Sequence, residues 1–157
     1  MTATDQIRKQ ALLRAPQDRV WRAITDAKQF GTWFGMDVDG DFAAHTAVKA
    51  RIVPTKVDED VAKMQEPHAG TAFELQVDRI EPMRLFSFRW HPGGEEDAMT
   101  LVTFELEPHD DGTMLTITES GFDRIPIERR AKAFEGNSEG WTHQLRLIEK
   151  YLALAPK

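Results

Sequence analysis

Hydrophobic and polar positions alternate from residue 6 to residue 15, with Ile7, Ala11 and Leu13 on one side. A period of two sends successive side chains to opposite faces of an extended chain, so this segment is predicted to be a strand. The period then lengthens. Val20, Trp21 and Ile24 recur at helical spacing over 14–26, and Pro16 suits the first helical turn, where its missing N–H costs nothing. A short second helix is expected over 28–34, carrying Phe30, Trp33 and Phe34 and stopped by Gly35. Strands are expected over 36–43 and 46–54, the latter closed by Pro54. In 55–69, Val57, Val61 and Met64 stand at i, i+4 and i+7, one face of a helix. Asp58 suits its N-cap, and Glu59 and Asp60 suit its positive start. An amphipathic helix over 58–65 is predicted, ended by Pro67 and Gly70.

Beyond it Phe73, Leu75 and Val77 share one strand face, and Asp78 to Pro82 is expected to turn the chain. Leu85 to Trp90 gives a strand with Phe86, Phe88 and Trp90 on one face, followed by a loop at Pro92-Gly93-Gly94. Thr100, Val102, Phe104 and Leu106 alternate strictly; Asp110-Asp111-Gly112 is a hairpin signal, and Met114 to Ser120 pairs back until Gly121-Phe122. From Pro126 the period becomes 3.6, and Trp141, Leu145, Ile148 and Leu152 form an apolar stripe. One long helix over 126–154 follows. Gly136, Asn137 and Gly140 weaken its middle, by about 1 kcal/mol per glycine relative to alanine, and a kink is expected there. Strands grouped before a terminal helix indicate an α+β fold with an antiparallel sheet, one face of which the last helix covers. Residues 1–157 read as one domain.

Composition narrows the partners. A net charge of −6, from 26 acidic and 20 basic side chains, argues against nucleic acid or an anionic membrane, both of which attract a basic face. The absence of cysteine excludes disulfides, thiolate metal sites and cysteine nucleophiles. Met1 to Asp5 lacks the character of a signal peptide, and no apolar run approaches a membrane span, so a cytoplasmic protein is expected.

Several stretches in this order resemble a known superfamily. Val20-Trp21-Arg22-Ala23-Ile24-Thr25-Asp26 with Trp33-Phe34, then Ile80-Glu81-Pro82 leading to Phe86-Ser87-Phe88-Arg89-Trp90, then Thr113 to Phe122 with Gly140-Trp141 and Leu145, are similar to the SRPBCC (START-like, Bet v-like) proteins. The combination is most similar to the branch named after the C-terminal domain of the activator of heat-shock protein 90 ATPase. The resemblance spans essentially the whole chain. It implies a helix-grip fold, in which a curved antiparallel sheet wraps the long C-terminal helix and small helices close one end. It also implies a cavity between sheet and helix, used by many members for apolar ligands and by some for cyclase, dehydratase or aromatase chemistry. The 55–69 segment departs from the family pattern, and its helix would make a lid over the cavity mouth, with Val57, Val61 and Met64 facing inward.

On that scaffold the large rings become candidates for a cavity wall: Trp33, Phe34, Phe73, Phe88, Trp90, Phe104 and Trp141, with Leu145. Glu119 shares the face of Leu115 and Ile117 and would be the polar end of the cavity. A carboxylate there needs a partner, and Arg89 and His143 are plausible ones, although parity puts Arg89 on the other face. Glu119 is also the sole candidate acid or base, a weak case for a cyclase or dehydratase; the catalytic residues are otherwise unknown.

The five histidines lack metal-ligand spacing, and no metal or cofactor is expected. Asp37-Val38-Asp39-Gly40-Asp41 imitates a calcium loop but puts Phe42 at position six and Val48 at position twelve, where glycine and glutamate belong. The leading expectation is binding of a hydrophobic small molecule. An enzyme on the same scaffold and a chaperone-type partner module are the alternatives. The polar outward positions Thr103, Glu105, Glu107 and Thr118 disfavour the partner module, and a homodimer is compatible with the sequence.

Overall fold

The computed structural model describes residues 6–91 and 99–154. Seven strands form one antiparallel sheet: β1 (Gln6–Leu13), β2 (Met36–Val38), β3 (Ala47–Ile52), β4 (Ala72–Glu81), β5 (Leu85–Trp90), β6 (Thr100–His109) and β7 (Gly112–Ser120). Their order across the sheet is β1-β7-β6-β5-β4-β3-β2. Four helices accompany them: α1 (Gln17–Thr25), α2 (Ala27–Phe34), α3 (Glu59–Gln65) and α4 (Ile127–Leu154). The curved sheet and the long terminal helix make the α+β helix-grip architecture that the sequence implies.

Alternation decides which side of the sheet is core. On β6, Thr100, Val102, Phe104 and Leu106 are buried, while Glu105 and Glu107 between and beyond them are exposed. On β7, Thr113, Leu115, Ile117 and Glu119 are buried at the same period. Register ties these faces together: Val102 lies opposite Glu119, Phe104 opposite Ile117 and Leu106 opposite Leu115. α4 lies over this face with Trp141, Leu147 and Ile148 buried. Leu145 and Leu152, expected beside Trp141 and Ile148 in the stripe, are half-buried.

Two sequence expectations change. β4 does not turn at Asp78; it continues to Glu81, with a bulge between Val77 and Arg79 in its register with β5. The extra residue breaks the alternation that pattern reading depends on. Ser87 Oγ secures the bulge, accepting from Arg79 N at 3.2 Å and donating to Asp78 Oδ2 at 3.3 Å. β2 is shorter than the 36–43 expected, because Asp39 to Thr46 is turn and irregular chain. The predicted loop at 92–94 lies outside the described residues.

α4 runs from Ile127 to Leu154 as one helix, through the glycines where a kink was expected. A Cβ built on Gly136 or Gly140 meets nothing within 4 Å among the described residues. Gly136→Ala is therefore expected to stabilise the protein by up to about 1 kcal/mol, through helix propensity alone. Urea denaturation would check this, and a loss of stability would show that the glycine serves the site below.

Candidate functional site

The site is built where the ends of β5 and β7, the start of β6 and the middle of α4 meet. Glu119, near the end of β7, points into the protein and has no solvent exposure. Trp90 ends β5, Thr100 begins β6 opposite it, and Asn137 and Trp141 stand one turn apart on α4. All four donate to the carboxylate. Trp90 Nε1 and Thr100 Oγ1 reach Oε2 at 2.8 and 2.5 Å, and Trp141 Nε1 reaches Oε1 at 2.7 Å. The Asn137 amide divides its hydrogens between Oε1 and Oε2, at 2.9 and 3.0 Å. A carboxylate offers about four acceptor sites, so these bonds use its capacity. Three neighbouring strands and the helix are thereby tied at one buried point.

Around the carboxylate the rings touch one another. Trp90 and Trp141 stack at 5.8 Å with 30° between planes, and Phe34 meets both edge-on at 6.0 and 5.8 Å. Phe88 packs on Trp90 at 5.4 Å, Phe104 on Trp141 at 5.8 Å, and Trp33 on Phe34 at 5.6 Å. Phe30, on α2, is a further hub, within 4.8 Å of Phe34 and 5.1 Å of Trp33. Trp33 is fixed from behind: its Nε1 donates to Ala23 O at 2.9 Å. Such edge-on and offset contacts are the favoured ring geometries.

Most of the predicted wall therefore comes together: Trp33, Phe34, Phe88, Trp90, Phe104 and Trp141 form one cluster with Glu119. Two residues stand apart. Phe73 is half-buried on β4, opposite Ala50. Leu145 lines a surface groove of about 320 Å³ between β1 and α4, with Lys9, Ala11 and Arg146. The expected partners of Glu119 also differ. Arg89 lies on the other face, where it pairs with Asp78 at 3.1 Å. His143 is half-buried, and its Nδ1 has no hydrogen-bond partner among the described residues. The helical offset of two from Trp141 turns it away from the carboxylate.

Sequence reading missed Thr100, Asn137 and Phe30. Asn137 carried a usable signal, since a poor helix former inside a long helix needs a reason to be there. Thr100 carried one too, sitting on the buried face of β6 with a hydroxyl to satisfy.

α3 docks beside this cluster. Asp58 caps it by accepting from Val61 N at 3.0 Å, and Lys150 of α4 donates to Asp58 Oδ2 at 2.5 Å. At its other end Gln65 Nε2 donates to Phe34 O at 3.0 Å, while Gln65 Oε1 accepts from Thr55 N at 2.7 Å. Gly35, in the left-handed region at φ 101°, stops α2 and makes room for the Gln65 side chain. Val61 is buried and Val57 half-buried, but Met64, expected on the same face, is 54% exposed. The hydrogen bond from Lys150, helped by the Val61 N–H, holds the Asp58 carboxyl down at about 2, against a usual 3.8.

Among the described residues no group of three or more metal-ligating side chains converges. The two acidic residues of the calcium-like stretch that are placed near a cation, Asp37 and Asp39, both engage Arg51.

Residues 14–153 match the model of the family described as activator of Hsp90 ATPase homolog 1-like protein. The chain belongs to that family. No curated protein matches it. Among solved structures it is similar to protein MLL2253 from Mesorhizobium loti, at 24% identity and TM-score 0.73, over 97% of this chain and 99% of that one. It is similar to CV1439 from Chromobacterium violaceum at 21% identity and TM-score 0.73, over 99% of both chains. It is also similar to DynU16, from the dynemicin biosynthetic locus, at 24% identity and TM-score 0.69, over 95% of this chain but only 47% of that one. At these identities the likeness establishes the helix-grip fold of an activator of Hsp90 ATPase homolog 1-like protein. No helix among the described residues is long and apolar enough to cross a membrane.

Proposed function

We propose that the protein binds a hydrophobic small molecule between the sheet and α4, against Trp90, Trp141, Phe34, Phe88 and Phe104, with Glu119 as the polar end. The observation that carries this is the fully buried carboxylate inside a cluster of rings. Burying it costs desolvation free energy that an apolar residue of similar volume would not. Its hydrogen bonds join β7 to β5, β6 and α4, and a polar group held so firmly among rings is suited to fix the orientation of a ligand. The cluster also reaches the surface: Trp90, Asn137 and Gly140 are half-buried. The rings touch one another, so a ligand enters by parting them rather than by filling a void. DynU16, a fold neighbour, is a protein of the dynemicin biosynthetic locus, which supports such a use of this scaffold. Native mass spectrometry of freshly purified protein, and a screen with fatty acids, flavonoids and polyketides, test the proposal. A retained or bound compound is expected; a protein that takes up none of them overturns it.

α3 serves as the lid in this reading. It is fastened at both ends by side chains but buries only one of its own hydrophobic residues well, which is too little to make it immovable. Val61→Asp is expected to speed hydrogen exchange in 58–66 and ligand exchange, while distant strands stay protected. Exchange rising throughout the sheet would instead make α3 core structure. The Asp58–Lys150 contact adds a pH dependence. A carboxyl held at about 2 against 3.8 contributes stability that is complete above 3.8 and disappears as pH falls through about 2. The protection of the α3 amides, relative to their intrinsic exchange rates, is therefore expected to fall as pH drops through that window, and Lys150→Met is expected to abolish the specific dependence.

A further inference from the structure

We infer that the ligand of this site is a protonated lipophilic amine, whose N–H takes the seat of Asn137 on Glu119; the inference rests on the binding reading above. No cation among the described residues pairs with Glu119, since its partners are two indoles, an amide and a hydroxyl. The nearby strand cation, Arg89, is already engaged with Asp78 on the opposite face. The carboxylate instead receives the N–H edges of the stacked Trp90–Trp141 pair, against which Phe34, Phe88 and Phe104 pack. A buried carboxylate beside a cluster of rings is the chemistry that recognises a lipophilic organic cation, through a charge-assisted hydrogen bond to the oxygens and apolar or cation–π contact with the rings. An overall charge of −6 favours the approach of such a ligand.

One donor is placed to give way. Trp90 and Trp141 are held by stacking, and Thr100 by the sheet. Asn137 is half-buried and shares its amide between both oxygens instead of committing to one. It lies next to Gly136 and three residues before Gly140, positions at which a Cβ would meet nothing within 4 Å among the described residues. A neutral apolar ligand that displaced Asn137 would leave Glu119 short of a hydrogen, a penalty that an amine avoids.

Three probes of one shape separate the alternatives: benzyldimethylamine at neutral pH, its uncharged carbon isostere isobutylbenzene, and phenylacetate. Binding is read by tryptophan fluorescence, excited on the red edge of the indole band where the probes do not absorb. The amine is expected to bind about tenfold more tightly than isobutylbenzene, and phenylacetate not at all. Glu119→Gln is expected to remove that preference. Asn137→Ala vacates the seat and is expected to raise amine affinity about tenfold; it remains informative if Glu119→Gln does not fold. Equal binding of amine and isobutylbenzene overturns the amine assignment and leaves the apolar-ligand reading standing. Amine binding unchanged by either substitution overturns it as well, as does no amine binding at all. The broader reading falls only if the fatty acid, flavonoid and polyketide screen is also empty.

Discussion

Glu119→Ala is expected to destabilise the protein by about 3–5 kcal/mol. The effect comes from the donors left behind more than from the carboxylate removed. Trp141 and Thr100 are 2% and 0% exposed, so the indole N–H and the hydroxyl have no water to turn to. Each buried polar group deprived of its partner costs about 1–3 kcal/mol, and hydrogen bonds to a charged group are worth about 1.5–3. Trp90 and Asn137 are half-buried and recover part of their loss from solvent. Glu119→Gln keeps the volume and one acceptor oxygen, and should cost roughly half as much. Urea unfolding followed by tryptophan fluorescence measures both. If the alanine variant lost less than about 1 kcal/mol, the cluster would not be what joins β7 to α4.

A second large effect is expected at Gly31, inside α2. A Cβ there would stand 2.2 Å from Met36 O and 3.3 Å from Met36 C. Both are backbone atoms just beyond the helix stop, so no side-chain rotation relieves the clash. The junction of α2 with β2 would have to move, carrying Phe30, Trp33 and Phe34 with it. Gly31→Ala is thus expected to cost about 3 kcal/mol, at the upper end for overpacking. It should also shift the indole signals of Trp33 and Trp141. The identical substitution at Gly136, also within a helix, is expected to have the opposite sign. A mild or stabilising effect at Gly31 would show that the α2–β2 junction yields easily.

These two glycines also show how far the sequence could be read. Both lie in helical patterns, and propensity assigns both the same penalty; only the third dimension reveals a carbonyl beside one and open space beside the other. Periodicity located the helices, the N-cap Asp58 and the inward face of β7, because burial at a period of two or 3.6 is a local property. It could not locate partners. Trp90, Thr100, Asn137 and Trp141 are spread over three elements, and their convergence on Glu119 follows from sheet register and from where α4 lies across it. Arg89 and His143 were natural expectations by charge, yet the carboxylate is satisfied by uncharged donors. The β4 bulge hid the true end of that strand, since one extra residue inverts every later side chain. The apolar face expected on α3 failed at Met64 for another reason. A seven-residue helix can bury its start while its end turns outward, and helical spacing alone does not set where contact stops.

The central claim is that an apolar small molecule binds at the Glu119 cluster, and the indole N–H signals of the protein's four tryptophans test it most directly. Each has a distinct setting: Trp90 and Trp141 donate to Glu119, Trp33 donates to Ala23 O, and Trp21 is half-buried on α1. Titration of a compound from the screen into nitrogen-labelled protein is predicted to move the Trp90 and Trp141 signals together and saturably. The Trp21 signal should stay in place, and the Trp33 signal should move less than either. Saturable binding that leaves both Trp90 and Trp141 unmoved would contradict the account and place the ligand elsewhere on the protein.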